Sequence, residues 1–161
     1  MEYKRAKEIA DSALKELKPY CDRIEIAGSI RRKKAYPNDI EIVCIPQPYD
    51  VDLFESGLAT VVNKWEKVKG TLPCKYTQRR LMEGIKLDLF FATKENWGLI
   101  FAIRTGSASF SHRLAKKWVS QGYHSKDGML SKNGKIFPIR EEHELFELLG
   151  IDWVEPVDRT E

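Results

Sequence analysis

Two acids, Asp39 and Glu41, stand one residue apart in the apolar run "DIEIVCI", and a third, Asp88, stands inside "KLDLFF". Side chains alternate between the faces of a strand, so Asp39 and Glu41 project together, roughly 7 Å apart along it. Ile40, Ile42 and Cys44 then turn to the opposite face, into a core. Two bare carboxylates repel one another, and a hard divalent cation with a preference for oxygen ligands relieves that repulsion. If the strand carrying Asp88 lies alongside, three carboxylates can hold two magnesium ions, with manganese as a substitute. Such ions can activate an attacking hydroxyl and steady a leaving phosphate. Each part alone is weak. An isolated D-x-E pair is most often solvent-facing decoration, and Asp88 by itself suits an ion pair with Lys86 or Arg79.

The residues ahead of the first acids sharpen the pattern. "GSIRRKK" begins at Gly28 and carries four cations, Arg31 to Lys34. Gly28 lets a backbone approach a phosphate closely. Ser29 adds a hydroxyl, and N–H groups at a helix start favour an anion. Arg31 and Arg32 can add two-pronged guanidinium contacts to a triphosphate. Cations that hold a phosphate tail and acids that hold metal belong together when the ligand is a magnesium–nucleotide. Without the acids, the same run reads as a solvated surface turn.

These side chains need strands and turns to position them. Residues 3–19 repeat apolar positions at three- and four-residue steps and predict an amphipathic helix ended by Pro19 and Tyr20. "RIEIAGS" alternates and predicts a strand reaching Gly28, and "DIEIVCI" predicts a second, stopped by Pro46 and Pro48. A helix is expected over "VDLFESGLATVVNKW", capped near Asp50 or Asp52. "CKYTQRRLM" and "IKLDLFFAT" predict two strands joined by a hairpin turn at Glu83-Gly84. "NWGLIFAIRTGSASFSHRLAKKWVSQGY" predicts helix, broken near Thr105-Gly106-Ser107. Short strands follow around Asp127-Gly128 and Asn133-Gly134, and "EEHELFELLG" predicts a last helix stopped at Gly150.

The 161 residues, 42% hydrophobic and 32% charged, suit one domain or two small lobes with a packed core. The net charge of +3 decides nothing alone, but clusters such as Arg31–Lys34 and Lys116-Lys117 are compatible with a polyanion. The three cysteines, Cys21, Cys44 and Cys74, have neither disulfide-framework nor zinc spacing, and Cys44 reads as a buried thiol. The N-terminus has no apolar signal region and no segment nears 18 apolar residues, so the expected location is cytoplasmic, with no membrane partner. The four tryptophans read as packing residues, and His124 and His143 as surface residues.

Taken in order, "GSIRR", then "DIE", then "KLDLFF" resembles the nucleotidyltransferase superfamily with the DNA polymerase beta fold. "TGSASFSHRLA" resembles the T-G-S segment after the palm of family X DNA polymerases, and "EEHELFELLGIDWVEPVDRTE" is similar to their thumb terminus. The resemblance runs from about Ala6 to Glu161. It implies an α+β chain: a nucleotidyltransferase palm of mixed sheet and helices over residues 1–105, then a small α+β thumb over 106–161. Asp39, Glu41 and Asp88 would be the catalytic metal ligands. Gly28, Ser29, Arg31 and Arg32 would hold the triphosphate. Ile103, Arg104, Thr105, Gly106, Ser107 and Ser111 would lie at the nucleotide. Arg79, Arg80, Lys86, His112, Arg113, Lys116 and Lys117 would meet DNA, with Lys86 also placed to orient the third carboxylate.

The implied activity is magnesium-dependent addition of a deoxynucleoside triphosphate to a primer 3′-hydroxyl on primer-template or gapped DNA, by a monomer. The alternative is nucleotidyl transfer to a small molecule, a protein or an RNA end. The chain departs from the family pattern at several points. Glu41 replaces the usual aspartate, Asn38 a glycine, Ile103-Arg104 an aromatic pair, and Ser111 a common asparagine. Only 27 residues precede Gly28, so neither an amino-terminal lyase domain nor helix-hairpin-helix fingers are expected. The plan is similar to that of small virus-encoded members.

Overall fold

Apolar positions at helical spacing form α1, Tyr3–Leu17, whose Ala6, Ile9, Ala10, Ala13 and Leu17 are buried. Pro19 turns its end into a short 3-10 segment, Lys18–Tyr20. In the computed structural model, which describes residues 1–47 and 57–161, the chain forms two compact units, Met1–Phe91 and Ala92–Glu161. The first continues with β1 (Cys21–Ala27), α2 (Gly28–Arg31), β2 (Asp39–Pro46) and α3 (Leu58–Val62), then β3 (Glu66–Lys69), β4 (Tyr76–Arg80) and β5 (Lys86–Phe91). The cap expected near Asp50 or Asp52 lies outside the described residues.

These strands make one sheet in the order β1-β2-β5-β4-β3. β2 and β5 run parallel and the other neighbours antiparallel, so the sheet is mixed. Alternation decides the two faces. Ile40, Ile42 and Cys44 of β2 and Leu87 and Leu89 of β5 pack with Ile9, Ala13 and Leu17 of α1 and with Leu58 and Val62 of α3. Each such aliphatic side chain stabilises the fold by roughly 1.5–3 kcal/mol. The odd-numbered partners on β2, Asp39 and Glu41, take the other face. Register shifts interrupt the two outer ladders, between Cys21 and Arg23 in β1 and between Lys67 and Lys69 in β3. β3 was not expected, because all four of its residues are exposed and three are charged.

The second unit holds α4 (Trp97–Thr105), α5 (Ala108–Ser120), the meander β6 (His124–Lys126), β7 (Met129–Lys132) and β8 (Lys135–Phe137), and α6 (Glu142–Leu149). Asp127-Gly128 and Asn133-Gly134 both have positive φ and make the two tight turns of the meander. Leu99 and Ala102 of α4 pack with Phe110, Leu114, Leu130, Leu145 and Phe146, so α4 folds with the second unit, where the sequence reading placed it with the first. Near the C-terminus, Arg159 is buried: its guanidinium meets Glu142 Oε2 at 2.8 Å and Val154 O at 3.0 Å. It also lies 4.9–5.4 Å from the ring centroids of Phe110, Phe146 and Trp153. No helix among the described residues is long and apolar enough to cross a membrane.

Candidate active site

In the first unit, β2 opens on Asp39 and Glu41, and β5 brings Asp88 directly opposite Glu41. Lys86 falls opposite Asp39 in the same ladder. The three acids are close enough to act on one another. Burial and then the Asp88 charge hold the Asp39 carboxyl above its ordinary range, with Lys86 opposing. Burial pushes Glu41 up to about 7; Asp88 and Asp39 add to this, while the Ser29 backbone N–H and Arg32 oppose it.

Glu41 is the centre of the arrangement. Its Oε2 is buried with no hydrogen-bond partner among the described residues. Its carboxylate fills the space a side chain on Gly28 would need, and a Cβ placed there would collide with it. Gly28 sits at φ +63°, a conformation that glycine adopts without strain. The strand-to-helix turn is closed by Arg32 N–H to Gly28 O at 3.0 Å and Lys34 N–H to Ser29 O at 2.9 Å. Arg31 and Arg32 are half-buried on this turn, and Lys33 and Lys34 are exposed. Of the four cations, Arg32 acts on the Glu41 carboxyl, while Lys33 and Lys34 face solvent.

Asp88 has partners that sequence reasoning missed. Tyr76 donates its hydroxyl to Asp88 Oδ1 at 2.5 Å, and Gln78 donates its amide to the same oxygen at 2.8 Å. Both lie on β4, where Gln78 is opposite Asp88 and Tyr76 opposite Phe90. The expected two-residue turn at Glu83-Gly84 would set Arg79 opposite Asp88; the turn is one residue longer, closed by Leu81 N–H to Ile85 O, and sets Gln78 there instead.

The donor set is all carboxylate, one oxygen is buried without a partner, and burial together with mutual repulsion raises two of the three acids, so the chemistry fits a hard divalent cation. Among the described residues no three His, Cys, Asp or Glu side chains are already gathered as a ligand group; the Glu41 carboxylate lies on Gly28, and Asp88 is drawn toward β4.

Two expected DNA contacts on β4 part company. Arg80 is exposed, 3.5 Å from Glu66. Arg79 is a correction: it is 3% exposed, and its guanidinium donates to Thr77 Oγ1, Trp65 O and Gly70 O. Alternation turns it to the face opposite Gln78, where it fastens β4 to the chain around β3 instead of presenting charge. Lys86 is half-buried opposite Asp39, whose carboxyl it favours in the charged form.

In the second unit, Thr105 Oγ1 donates to Phe101 O. Ser107 Oγ donates to Thr160 O and caps α5 by accepting from the Phe110 N–H, while the Ser107 N–H donates to Arg159 O. Thr105, Gly106 and Ser107 are buried and form the break expected between the two helices. Ser111 donates to Ile103 O at 2.7 Å. Arg104 is exposed and Ile103 half-exposed. His112, Arg113, Lys116 and Lys117 are exposed along α5, and Arg113 also donates to Thr160 O at 3.1 Å. Residues 101–160 match the DNA polymerase beta thumb family. No curated protein matches the chain.

Proposed function

We propose that the chain is a magnesium-dependent DNA polymerase of family X type, which adds deoxynucleotides to a primer 3′-hydroxyl in gap filling or repair. One observation carries the reading. Three carboxylates on neighbouring strands, one with a buried unpartnered oxygen, precede residues that match a DNA polymerase beta thumb. Asp39, Glu41 and Asp88 would hold the divalent cations. Bound there, magnesium supplies Lewis-acid activation of the 3′-hydroxyl and neutralises phosphate charge.

The chain's own residues bind and orient. The primer 3′-hydroxyl gives its proton to solvent as its oxygen bonds to the α-phosphorus, the bond from that phosphorus to the oxygen bridging to the β-phosphate breaks, and pyrophosphate leaves with that bond's electron pair. Arg31 and Arg32, with the Gly28–Ser29 backbone, would hold the triphosphate in line. Ile103 and Arg104 would face the sugar, and Arg80 with the exposed cations of α5 would hold DNA phosphates. The test is extension of a labelled primer–template with magnesium and each nucleotide in turn. Templated addition supports the reading. Transfer only to a non-DNA acceptor, or none at all, overturns it.

Two smaller effects follow from the same assignment. Arg32→Ala is expected to raise the nucleotide KM by roughly ten- to hundredfold, the worth of one hydrogen bond to a charged group, with little change in kcat. That pattern marks a contact made equally in ground and transition states. Removing both Lys116 and Lys117 is expected to weaken DNA binding and to lower the slope of log affinity against log salt by about two. Titrations at several salt concentrations check it, and an unchanged slope would return these lysines to a solvated helix face.

A further inference from the structure

Asp88 is held from the neighbouring strand by two donors that converge on one of its oxygens. Gln78 reaches Oδ1 straight across the β4–β5 pair at 2.8 Å. Tyr76 reaches it diagonally at 2.5 Å, since its own partner across the ladder is Phe90. The Tyr76 ring stacks on that Phe90, with centroids 4.9 Å apart and planes 24° apart. The stack fixes the ring, and the ring delivers the hydroxyl. Lys86, the cation nearest in sequence, lies opposite Asp39 instead.

We propose that Tyr76 and Gln78 are positioning residues for the reaction, a clamp that fixes the Asp88 carboxylate and leaves Oδ2 to a bound cation. The proposal rests on the reading of Asp88 as a metal ligand. The terminal torsion of an aspartate is broad, so a carboxylate without partners swings between orientations. Two donors on one oxygen remove most of that freedom before any ligand arrives. Groups that orient a metal ligand without touching the metal typically change metal affinity or activity by about ten- to hundredfold when lost.

The experiment compares the unmodified protein, the double variant Tyr76→Phe/Gln78→Met, and Asp88→Ala. Phenylalanine keeps the stack on Phe90, and methionine keeps the bulk of glutamine, so melting temperature should stay near that of the unmodified protein. Mn2+ affinity is measured by electron paramagnetic resonance without nucleotide or DNA, and kcat and KM by primer extension. The double variant should bind Mn2+ about ten- to hundredfold more weakly and lose kcat by a similar factor, with nucleotide KM nearly unchanged. Unaltered Mn2+ affinity in the double variant, beside a loss in Asp88→Ala, overturns the clamp and leaves the metal site standing. Mn2+ affinity that Asp88→Ala does not alter overturns the assignment of Asp88 itself, and the clamp with it.

Discussion

Gly28→Ala should cut nucleotide addition by about a thousandfold, the range seen when a preorganised electrostatic contact is lost, while destabilising the fold by only about 1–2 kcal/mol. The two numbers separate because they have different origins. The stability cost is the strain of placing a side chain at φ +63°. The new Cβ would also collide with the Glu41 carboxylate. That carboxylate ends a flexible side chain, so it can move aside at little cost to the fold, but it then leaves Asp88 and Ser29. Gly84→Ala is the control: φ is +89° and nothing lies within 4 Å of the added atom. It should show similar strain and unchanged activity. Single-turnover rates and melting temperatures for both variants decide the matter. Equal activity in both would show that Glu41 needs no fixed place.

The second large effect belongs to Glu41 itself. Its carboxyl is raised from about 4.5 to about 7 in the folded protein. Between those values the folded chain binds more protons than the unfolded one, so stability falls as pH rises through this window. Above it the full penalty is about 2–3 kcal/mol after allowing for partial exposure. Below about pH 4.5 both states are protonated and the penalty vanishes. Glu41→Gln removes the charge, so it should be more stable than the unmodified protein at pH 8 and nearly equal at pH 4. Its nucleotide addition should fall about a thousandfold or more, through loss of an anionic ligand. Magnesium should raise the melting temperature of the unmodified protein more at pH 8 than at pH 5, since it favours the ionised carboxylate. Parallel pH–stability curves for the two proteins would contradict the assignment.

Much of this site can be read by counting in twos. Alternation in "DIEIVCI" separates Asp39 and Glu41 from the core residues, but the β4–β5 register needed one more turn residue than Glu83-Gly84, since Leu81 and Ile85 close the turn. The same parity exposes the error over Arg79: if Gln78 faces Asp88, Arg79 must face the other way, and two consecutive arginines cannot share a face. β3 carries no alternation because neither face of "EKVK" is buried, and periodicity is silent where burial does not select. The partner of Arg159 could not be read either. Glu142 lies 17 residues away in the chain, and only the packing of Phe110, Phe146 and Trp153 brings them together. Nor could the partners of the Thr105 and Ser107 hydroxyls be read, since the backbone carbonyls of Phe101 and Thr160 that take them are fixed by the folded turn.

The shifted registers at the two outer strands bear on how copies of the chain treat one another. An edge strand offers a row of unpaired N–H and C=O groups, which is a template for a strand from another molecule. β1 breaks its ladder between Cys21 and Arg23 and exposes Asp22 and Glu25. β3 breaks its own between Lys67 and Lys69 and exposes both lysines beside Glu66. An incoming strand would meet a kinked backbone, and a copy of β3 laid parallel and in register would set like charges opposite one another. Among the described residues the sheet therefore ends, chemically, at its fifth strand, and the two margins resist the edge-to-edge aggregation that a flat, apolar border of the same length would invite.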